Sequence, residues 1–566
     1  MTSKSPIVRN AELDEPLCSG RYKFNDIQLQ QLNSEQGGIA AWTEAFRRSK
    51  VAAPNGVAGD FAVALFSPKS TFIAVDRFAI NSLCYQIVDG RLRVAERADD
   101  LAAADAKLDP QALYDYLYFH MIPAPRTVFK GIYRLPAGHY ALFENGKLTV
   151  APWWTPHFEE DRRVPVPELK AEFRQILRDS VTDQLDGQTT GCFLSGGTDS
   201  STVAGLLREV TGQPAKAFSI GFEAAGYDEM EYARIAARHF GAEHHEYYVT
   251  PNDLVRSIPD VAASYDQPFG NSSVVPAYYC AKAAREAGVT RILAGDGGDE
   301  LFGGNTRYAK QRVFNAYDNI PGSLRRGVLE PLLIGNTLAG RIPGIKKAVS
   351  YVEQARIPMP DRMQMYNLLG RLGLAEVLTS EFLAQVNPDD TLRQQRETYV
   401  SGDGRALVNR MLWYDWKYTL ADNDLPKVVG ANRLAGIPVG FPLLDDRLVD
   451  FSLRLNPELK LKGLTLRWFF KEALKDFLPP QIITKKKHGF GLPFGVWAVE
   501  HAGLRTLAME SLDSLRCRGI VRSDFLDRLV KEYLPQHPGY YGELVWILMM
   551  LAQWLLARGP AKKASI

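Results

Sequence analysis

The segment Ser195-Gly196-Gly197-Thr198-Asp199-Ser200-Ser201 follows the apolar run TTGCFL (residues 189–194) and precedes a helical pattern that begins at Thr202. The two glycines let the backbone approach a bound anion closely. The N-terminus of the following helix offers free N–H groups and the positive end of the helix dipole. The segment lacks the Gly-Lys-Ser/Thr ending of a Walker loop, so nothing marks it for γ-phosphate transfer. We interpret it as an anion-binding loop; the alternative is a strand–turn–helix corner whose Ser and Asp only cap the helix.

A second glycine-rich segment carries acidic side chains. Gly295-Asp296-Gly297-Gly298-Asp299-Glu300 follows the strand-like run RILA (residues 291–294). In a parallel sheet this segment emerges at the same carboxyl edge as the first loop, and open α/β sheets bind their ligands at that edge. Two such loops fit a Mg²⁺ ion that is held by few carboxylates together with substrate phosphates. Taken by itself, the segment could equally be a glycine turn with solvated acids.

The sequence around the two loops predicts an α/β domain with a parallel sheet. A third strand-like segment, AFSIGF (residues 217–222), lies between the loops, and helical patterns separate the three strand-like segments. This alternation predicts βαβ units. Apolar residues at helical spacing predict an amphipathic helix over Leu169–Val181, and residues from about 305 to 557 are mostly helical in pattern.

The first 155 residues predict an antiparallel α+β sandwich. Their short strand-like runs are joined by hairpin signals such as Asp89-Gly90 and Asn145-Gly146, which supply the positive φ angles of tight turns. We therefore divide the chain into an amino-terminal domain (residues 1–155), a proline-containing linker (156–167), an α/β and helical domain (168–557) and a short tail (558–566).

The composition argues against several classes of protein. The 566 residues carry 67 Lys and Arg against 65 Asp and Glu, so no charge excess marks a nucleic-acid or membrane-surface protein. Five cysteines without CxxC spacing argue against a disulfide framework or a zinc site. The amino terminus has no apolar signal-peptide core, and the longest apolar run, Leu544–Ala557, is shorter than the roughly 20 residues that span a bilayer. We expect a cytoplasmic protein in which this run is a buried helix.

The separated motifs together resemble one enzyme family. Most of the chain is similar to the synthetase domain of asparagine synthetases, a branch of the PP-loop ATP pyrophosphatases. Asp76-Arg77-Phe78 and residues 123–136 resemble the family's amino-terminal class II glutamine amidotransferase domain. The resemblance covers about residues 59–557. Its synthetase part rests on SGGTDSS (195–201), FSIGF (218–222), YDE (227–229), HHE (244–246), GDGGDELFGG (295–304), PLLD (442–445) and KHGFG (487–491).

The resemblance implies an ATP- and Mg²⁺-dependent ligase. Enzymes of this family adenylate a carboxylate with release of pyrophosphate, and ammonia or an amine then displaces AMP. The positions that match the family's pyrophosphate-binding residues are Ser195, Gly196, Gly197, Asp199 and Ser200. Those that match its adenosine pocket are Leu194, Ile220, Ala294 and Gly295. The Mg²⁺-binding acids match Asp199 and Asp299.

The resemblance also implies catalytic and charge-stabilising residues. Asp296 stands where the family has an acid, often Glu, near the reacting carboxylate. Lys487 matches the lysine that stabilises charge on the α-phosphate and the tetrahedral intermediate, and such stabilisation is usually the largest catalytic term. Arg467 and Lys471, four residues apart on one helical face, would add positive charge beside the pyrophosphate. Without the resemblance, the run Lys485–Lys487 reads as a solvated basic loop.

The sequence departs from the family at two places. The family's amidotransferase nucleophile is an amino-terminal cysteine, whereas this chain has Thr2 and then Ser3, and its first cysteine is Cys18. Segments like RGPD and NGEIYN, which bind glutamine in the family, are absent, so we expect a degenerate domain with no glutaminase nucleophile. Thr2 acting as the nucleophile, or Cys18 exposed by loss of a propeptide, are the alternatives. Pro438 and Gly440 replace a Glu and an Arg that order the family's substrate pocket, so the acceptor need not be aspartate.

The sequence thus predicts an ATP-dependent amide synthetase that adenylates aspartate or an analogue and transfers it to ammonia or an amine without glutamine hydrolysis. One alternative is a β-lactam or lasso-peptide type macrolactam synthetase that uses a substrate amine, and another is a catalytically silent scaffold homologue. The near-neutral charge and the lack of paired cysteines argue against a tRNA-thiolating PP-loop enzyme. The expected partners are a small-molecule or peptide carboxylate and an amine donor, with no nucleic acid and no membrane. A homodimer is compatible with the resemblance.

Overall fold

The computed structural model describes residues 15–333, 343–485 and 491–559. The chain divides into two compact units. The first contains the residues up to Leu113 together with Ile122–Thr155, and the second contains Tyr114–Met121 and the residues from Pro156 onward.

The first unit contains two antiparallel sheets. Its strands are β1 (Leu17–Phe24), β2 (Val57–Phe66), β3 (Ser70–Val75), β4 (Cys84–Val88), β5 (Arg91–Ala95), β6 (Tyr133–Arg134), β7 (His139–Glu144) and β8 (Lys147–Pro152). The larger sheet has the order β1-β2-β3-β7-β8, and the smaller has the order β5-β4-β6. The helical segments are Ile27–Gln36, Gly38–Ser49, Ala98–Leu101, the first turn of Pro110–Phe119 and a 3₁₀ helix over Lys50–Gly56.

The larger sheet is covered on both faces because alternate residues of its central strands point to opposite sides. Phe61, Val63 and Phe72 belong to one apolar cluster with Trp42 of the helix Gly38–Ser49. The intervening residues of the same strands pack against the smaller sheet. Helix, sheet and sheet form three layers, which confirms the predicted antiparallel α+β sandwich.

Two predicted hairpins have left-handed backbone at their turns. Asp89 and Gly90, between β4 and β5, have φ angles of 50° and 72°. Asn145 and Gly146, between β7 and β8, have φ angles of 52° and 75°. Positive φ at both central residues matches the twist of the flanking strands, which confirms the two hairpins.

The second unit is built on a five-stranded parallel sheet. Its strands are β9 (Thr190–Phe193), β10 (Lys216–Phe222), β11 (Glu243–Val249), β12 (Arg291–Leu293) and β13 (Val439–Gly440). They lie in the order β11-β10-β9-β12-β13, and each neighbouring pair is parallel. The chain runs outward from β9 to β11 and then returns to the other side of β9. The crevice between β9 and β12 is therefore a topological switch point, where sheets of this kind bind ligands.

Helices cover both faces of this sheet, as the sequence predicted. Phe218 and Ile292 of the sheet pack against the helix Val274–Glu286. Phe173, in the helix that begins at Val166, belongs to an aromatic cluster with Phe302 and three further phenylalanines. The helices of the α/β part are Val166–Asp183, Thr198–Thr211, Met230–Phe240, Pro251–Ser264, Val274–Glu286 and Gly298–Phe302.

The rest of the second unit is mostly helical. Its α-helices begin with Thr306–Asp318, Gly322–Leu324, Glu330–Leu333, Pro343–Ala355, Leu368–Leu372, Leu374–Val377, Ser380–Leu383, Pro388–Ser401, Leu407–Asp415, Leu425–Ala435, Asp446–Arg454 and Pro457–Lys460. They continue with Trp468–Leu474, Pro480–Thr484, Phe494–Glu500, Ala502–Arg516, Ser523–Arg528, Leu534–Gln536 and Pro538–Ala557. In the described part of this unit, π-helices occupy Arg325–Leu329, Trp416–Asp424 and Leu529–Tyr533, and 3₁₀ helices occupy Asp361–Gln364 and Pro442–Leu444. A short hairpin joins Leu461–Lys462 to Thr465–Leu466.

The carboxyl-terminal apolar run is part of a long core helix. The helix begins at Pro538, before the apolar run starts, and its 20 residues make it long and apolar enough to cross a membrane. Most of it is buried inside the protein, including both of its tryptophans, Trp546 and Trp554. This burial is the arrangement expected of a core helix.

Candidate active site

The first glycine-rich loop leaves β9 and turns sharply into a helix. Gly196 has a φ angle of +67°, and a Cβ atom there would lie 2.4 Å from the backbone of Tyr232 and Ala233, so only glycine fits. Gly197 precedes the first turn of the helix Thr198–Thr211. The backbone N–H groups at this helix start therefore face the carboxyl edge of the sheet, as an anion-binding loop requires.

The second loop leaves β12 and lies directly against the first. A Cβ atom on Gly295 would lie 2.8 Å from the backbone nitrogen of Ser200, and one on Gly298 would lie 2.3 Å from the Asp199 carboxylate. Gly297 has a φ angle of +101°, which side-chain-bearing residues rarely adopt. The glycines of the second loop thus bring the two loops together around Asp199.

The two predicted magnesium-binding acids share one cation. Arg467 Nη1 donates hydrogen bonds to Asp199 Oδ2 at 2.7 Å and to Asp299 Oδ1 at 2.9 Å, and Nη2 donates to Asp199. Burial disfavours the charge of Arg467, but the two carboxylates raise the pKa of its guanidinium above the ordinary value. The side chains of Asp199 and Asp299 therefore converge on a single point between the loops.

This donor set fits a magnesium ion that also binds substrate phosphates. Among the described residues, no three His, Cys, Asp or Glu side chains form a complete metal-binding group. Mg²⁺ commonly takes one or two protein carboxylates and completes its octahedron with phosphate and water oxygens. Asp199 and Asp299 are the residues that would hold it, because they already meet around a positive charge.

The predicted adenosine-pocket residues divide between the lining of the cleft and the interior behind it. Leu194, Ile220 and Gly295 line the same cleft as the two loops. Ala294 is fully buried, and its backbone nitrogen donates to the carbonyl of Gly440 in the neighbouring strand, so it lies behind the cleft wall.

The first loop's serines line the cleft and hydrogen bond to each other. Ser195 Oγ and Ser200 Oγ are 3.0 Å apart, and the Ser195 backbone nitrogen donates to Ser200 Oγ at 3.1 Å. Gly197 also lines the cleft, whereas Gly196 lies against the backbone of the helix Met230–Phe240. The hydroxyl pair fixes the shape of the loop around its glycines.

Two lysines, Lys471 and Lys487, were expected near the phosphates, and the structure describes the first of them together with Lys485, to which the sequence assigned no role. Lys471 lines the cleft, and burial together with the nearby Arg467 charge lowers its pKa. Lys485 donates to Glu229 Oε2 at 3.1 Å and to the carbonyl of Gly196 at 3.4 Å, which ties it to the first loop. Lys487 lies outside the described residues.

Asp296 belongs to a small, partly buried charge network that the sequence analysis did not predict. Lys427 Nζ lies 3.6 Å from Asp296 Oδ1 and 2.9 Å from Asp424 Oδ1. Burial raises the pKa of the Asp296 carboxyl, and the Lys427 charge counteracts part of that rise. Burial disfavours the Lys427 ammonium, but the two carboxylates raise its pKa above the ordinary value. Asp424 ends the π-helix that begins at Trp416, and π-helical turns often occur at functional sites.

The cleft as a whole has a volume of about 1140 Å³ and lies within the second unit. Both glycine-rich loops line it. Polar side chains from separate helices and loops line it as well: His120, Asn271, Ser272, Asn423 and Glu543. No local motif marks these residues in the sequence, because only the tertiary fold brings them together.

The first unit places Cys18 inside a strand. Cys18 is the second residue of β1, and its backbone is paired with Val63 of β2. Its sulfur accepts a hydrogen bond from the Tyr22 hydroxyl at 3.3 Å, and it packs against the apolar cluster around Trp42. Thr2 and Ser3 lie outside the described residues.

Comparisons with known proteins agree with this architecture. The family model described as asparagine synthase matches residues 172–556, and the one described as a glutamine amidotransferase domain matches residues 43–154. Asparagine synthetase [glutamine-hydrolyzing] 1 of Bacillus subtilis (strain 168) is 25% identical over 564 residues, which cover 97% of this chain and 84% of that relative.

Two further relatives match a shorter part of the chain. A putative asparagine synthetase [glutamine-hydrolyzing] of Mycobacterium tuberculosis (strain ATCC 25618 / H37Rv) is 26% identical over 78% of this chain and 68% of its own length. The amidase chyE of Penicillium rubens is 28% identical over 78% of this chain and 70% of its own length. The asparagine synthase model alone matches well over half of the residues, including both glycine-rich loops and the shared Arg467. The chain belongs to the asparagine synthase family.

Proposed function

We propose that the protein is an ATP-dependent carbon–nitrogen ligase that forms AMP and pyrophosphate. It adenylates a carboxylate, aspartate or an analogue, and transfers the acyl group to ammonia or an amine. The observation that carries this proposal is the convergence of Asp199 and Asp299, from loops after two neighbouring strands, on one buried cation. Two carboxylates from adjacent loops suit a Mg²⁺-nucleotide complex, which takes few protein ligands and completes its shell with phosphate and water oxygens. We place this activity in the cytoplasm.

In this proposal the first loop binds the phosphates and the two acids hold Mg²⁺. Backbone N–H groups at the start of the helix Thr198–Thr211 bind phosphate oxygens, and the helix dipole favours their negative charge. When bound, Mg²⁺ neutralises phosphate charge and so favours departure of pyrophosphate. Arg467 and Lys471 add positive charge beside the leaving pyrophosphate, and Lys487 is proposed to stabilise charge at the α-phosphate.

The acceptor carboxylate is proposed to bind beside Asp296. Lys427 is the nearest described cation to Asp296, and it is held at 2.9 Å from Asp424. This anchoring fixes its ammonium at the cleft wall, where it supports an incoming carboxylate electrostatically. The charged pair that the family uses for aspartate is absent from this chain, which has Pro438 and Gly440 at those positions, so an analogue with another side chain is compatible with the proposal.

We propose that the nitrogen does not come from glutamine hydrolysed by this chain. The support is the position of Cys18, whose backbone is paired within a sheet and whose sulfur is packed against apolar side chains. In this proposal residues 1–155 form a degenerate amidotransferase-like domain, residues 156–167 a linker, residues 168–557 the synthetase domain and residues 558–566 a tail. The size of the cleft favours a second candidate, a macrolactam-forming synthetase whose amine belongs to the substrate.

A panel assay tests the proposal. The full chain is incubated with ATP, Mg²⁺ and one carboxylic acid at a time, with ammonium, with glutamine or with neither, while pyrophosphate and amide products are measured. Amide formed from ammonium but not from glutamine supports the ligase. Turnover without an added nitrogen source, and only with an amine-bearing acid, supports the second candidate. Absence of Mg²⁺-dependent nucleotide turnover across the panel would favour a scaffold.

A further inference from the structure

The proposed function leaves two features of the parallel sheet without a role: Ser219 in the FSIGF motif, and the HHE motif of residues 244–246. Ser219 lies in β10, and the HHE motif lies in β11, the neighbouring edge strand. Ser219 is paired with Glu246 in the parallel register, and alternate residues share a face, so Ser219, His244 and Glu246 point to one side of the sheet. Ile220, the next residue of β10, points to the other side and lines the cleft.

Ser219 holds the end of the strand that leads into the first glycine-rich loop. Its hydroxyl donates a hydrogen bond to the carbonyl of Leu194, the residue directly before the loop. The Leu194 backbone nitrogen donates to the carbonyl of Phe218 at 2.8 Å, so β10 holds Leu194 on both sides of its α-carbon. The pairing of β9 with β10 ends one residue earlier, at Phe193. The Ser219 hydroxyl therefore extends the strand pairing to the point where the loop begins.

His244 orients the Ser219 hydroxyl. The imidazole Nε2 lies 2.7 Å from Ser219 Oγ. A hydroxyl has a single proton, and Ser219 gives that proton to the Leu194 carbonyl. Nε2 must therefore carry the proton of the second hydrogen bond and donate it to Ser219 Oγ. With its lone pair engaged by the imidazole, the Ser219 hydroxyl keeps its proton directed at Leu194.

Charged side chains beside His244 link it to a helix that adjoins the loop. His244 Nδ1 lies 3.5 Å from Glu246 Oε1, and Glu246 accepts hydrogen bonds from Arg234 Nε at 2.8 Å and Nη2 at 2.6 Å. Burial lowers the pKa of the His244 imidazole, and Glu246 counteracts part of this effect. In either protonation state Nε2 keeps its proton, because the second proton of an imidazolium goes to Nδ1, which faces Glu246. Arg234 lies in the helix Met230–Phe240, whose backbone lies close to Gly196 of the loop.

A loop of this kind depends on how its ends are held. Gly196 and Gly197 allow the backbone many conformations, which is what lets it approach an anion and also what makes it costly to order. Phosphate binding needs the loop N–H groups in fixed positions before the ligand arrives, because a preorganised site loses less free energy on binding. The hydrogen bond at Leu194 fixes the chain directly before these glycines.

We propose that Ser219 and His244 are positioning residues for the phosphate-binding loop: His244 orients the Ser219 hydroxyl, and this hydroxyl holds the Leu194 carbonyl where nucleotide binding requires it. The inference rests on the proposed function, because it assigns the loop to the phosphates of ATP. Ser219 acts through the loop and not by contact with nucleotide, since it is only 3% exposed and points away from the side of the sheet that Ile220 presents to the cleft.

A double-mutant cycle tests the proposal. The full chain is titrated calorimetrically with α,β-methylene-ATP in the presence of Mg²⁺. Ser219→Ala and His244→Leu are each expected to weaken binding about tenfold, the effect of one buried hydrogen bond. Because His244 acts through Ser219, the double variant should also lose about tenfold, whereas independent effects would multiply to about 100-fold.

Two further variants separate the hydrogen bond from general damage to the fold. His244→Gln keeps an N–H donor at the same number of bonds from the backbone and should bind within about threefold of the wild type. His239→Leu is the matched control, because His239 is an exposed histidine at the end of the helix that bears Arg234, and it should bind as the wild type does. Thermal midpoints identify any variant that fails to fold. A merely structural role would lower the midpoint and leave the affinity of the folded protein unchanged.

The proposal is overturned by unchanged affinity in Ser219→Ala, by losses that multiply in the double variant, or by a His244→Gln variant as weak as His244→Leu. If His244→Leu does not fold, Ser219→Ala and His244→Gln still decide the matter. A wild type that does not bind the Mg²⁺-nucleotide counts against the proposed function. A wild type that binds it, with variants of equal affinity, counts against the positioning role alone.

Discussion

Gly304→Ala is a small change that should disable the proposed magnesium site. Gly304 follows the second loop, and its own backbone nitrogen donates to the carbonyl of Asp299 at 2.9 Å. A Cβ atom on Gly304 would lie 1.7 Å from Asp299 Oδ1, whereas real Cβ contacts are essentially never closer than 3.0 Å. The Asp299 carboxylate must therefore move by at least 1.3 Å, away from the point that it shares with Asp199.

A displacement of this size has a predictable effect on the reaction. Misplacement of a reacting group by about 1 Å costs on the order of 100-fold in rate. We therefore expect Gly304→Ala to slow pyrophosphate release about 100-fold and to weaken Mg²⁺-dependent ATP binding. Overpacking costs about 1–3 kcal/mol of stability, so the fold should persist and the thermal midpoint should fall by only a few degrees.

Calorimetry of ATP binding, with and without Mg²⁺, measures the effect independently of the acid substrate. Gly322→Ala is the matched control, because a Cβ atom there meets nothing within 4 Å. The reasoning is refuted if Gly304→Ala binds Mg²⁺-ATP and releases pyrophosphate as the Gly322→Ala control does.

Three further substitutions have expected outcomes. Lys485→Met removes the ammonium that contacts Glu229 and the Gly196 carbonyl, so ATP affinity should fall about tenfold in a titration; unchanged affinity would show that this contact does not shape the loop. Glu543→Gln should raise the thermal midpoint more at pH 8 than at pH 5.5, because a carboxyl with a folded pKa near 7 loses its contribution to stability, at most about 3 kcal/mol, as the pH rises through that value. An equal change at both pH values would argue against the raised pKa. Cys18→Ser should leave ammonium-dependent pyrophosphate release within about twofold, since the sulfur is packed in a sheet; loss of that activity would give Cys18 a role that we do not assign.

The sequence predicted the parts of the fold that depend on local patterns. The central strands β9, β10 and β12 are mostly apolar runs, and β9 and β12 are followed by glycine-rich loops, so their positions could be predicted directly from the sequence. The strands β1 and β11 were not predicted, and each lies at the edge of its sheet. Edge strands are partly exposed and carry polar residues, as in EHHEYYV of β11, so they lack a continuous apolar signal.

In the candidate site, too, the residues that follow a local sequence pattern were predicted and those that depend on tertiary packing were not. Asp199 and Asp299 each lie a few residues after a strand, and the rule that parallel strands present their loops at one edge was enough to place them together. Lys427 and Glu543 come from helices more than 100 residues away from those loops. Their arrival at the cleft depends on how helices pack, and no residue spacing encodes it. The sequence predicted Arg467 beside the pyrophosphate but did not predict its ion pairs with both Asp199 and Asp299.

The most direct test of the central claim is the identity of the nucleotide products. The full chain is incubated with Mg²⁺, ATP and the panel of carboxylic acids, and the phosphorus-containing products are resolved by ³¹P NMR. We predict AMP and pyrophosphate in equal amounts, formed only when an acid is present and lost in Asp199→Asn and Asp299→Asn. ADP and orthophosphate as the products, or turnover that persists in both variants, would contradict the claim.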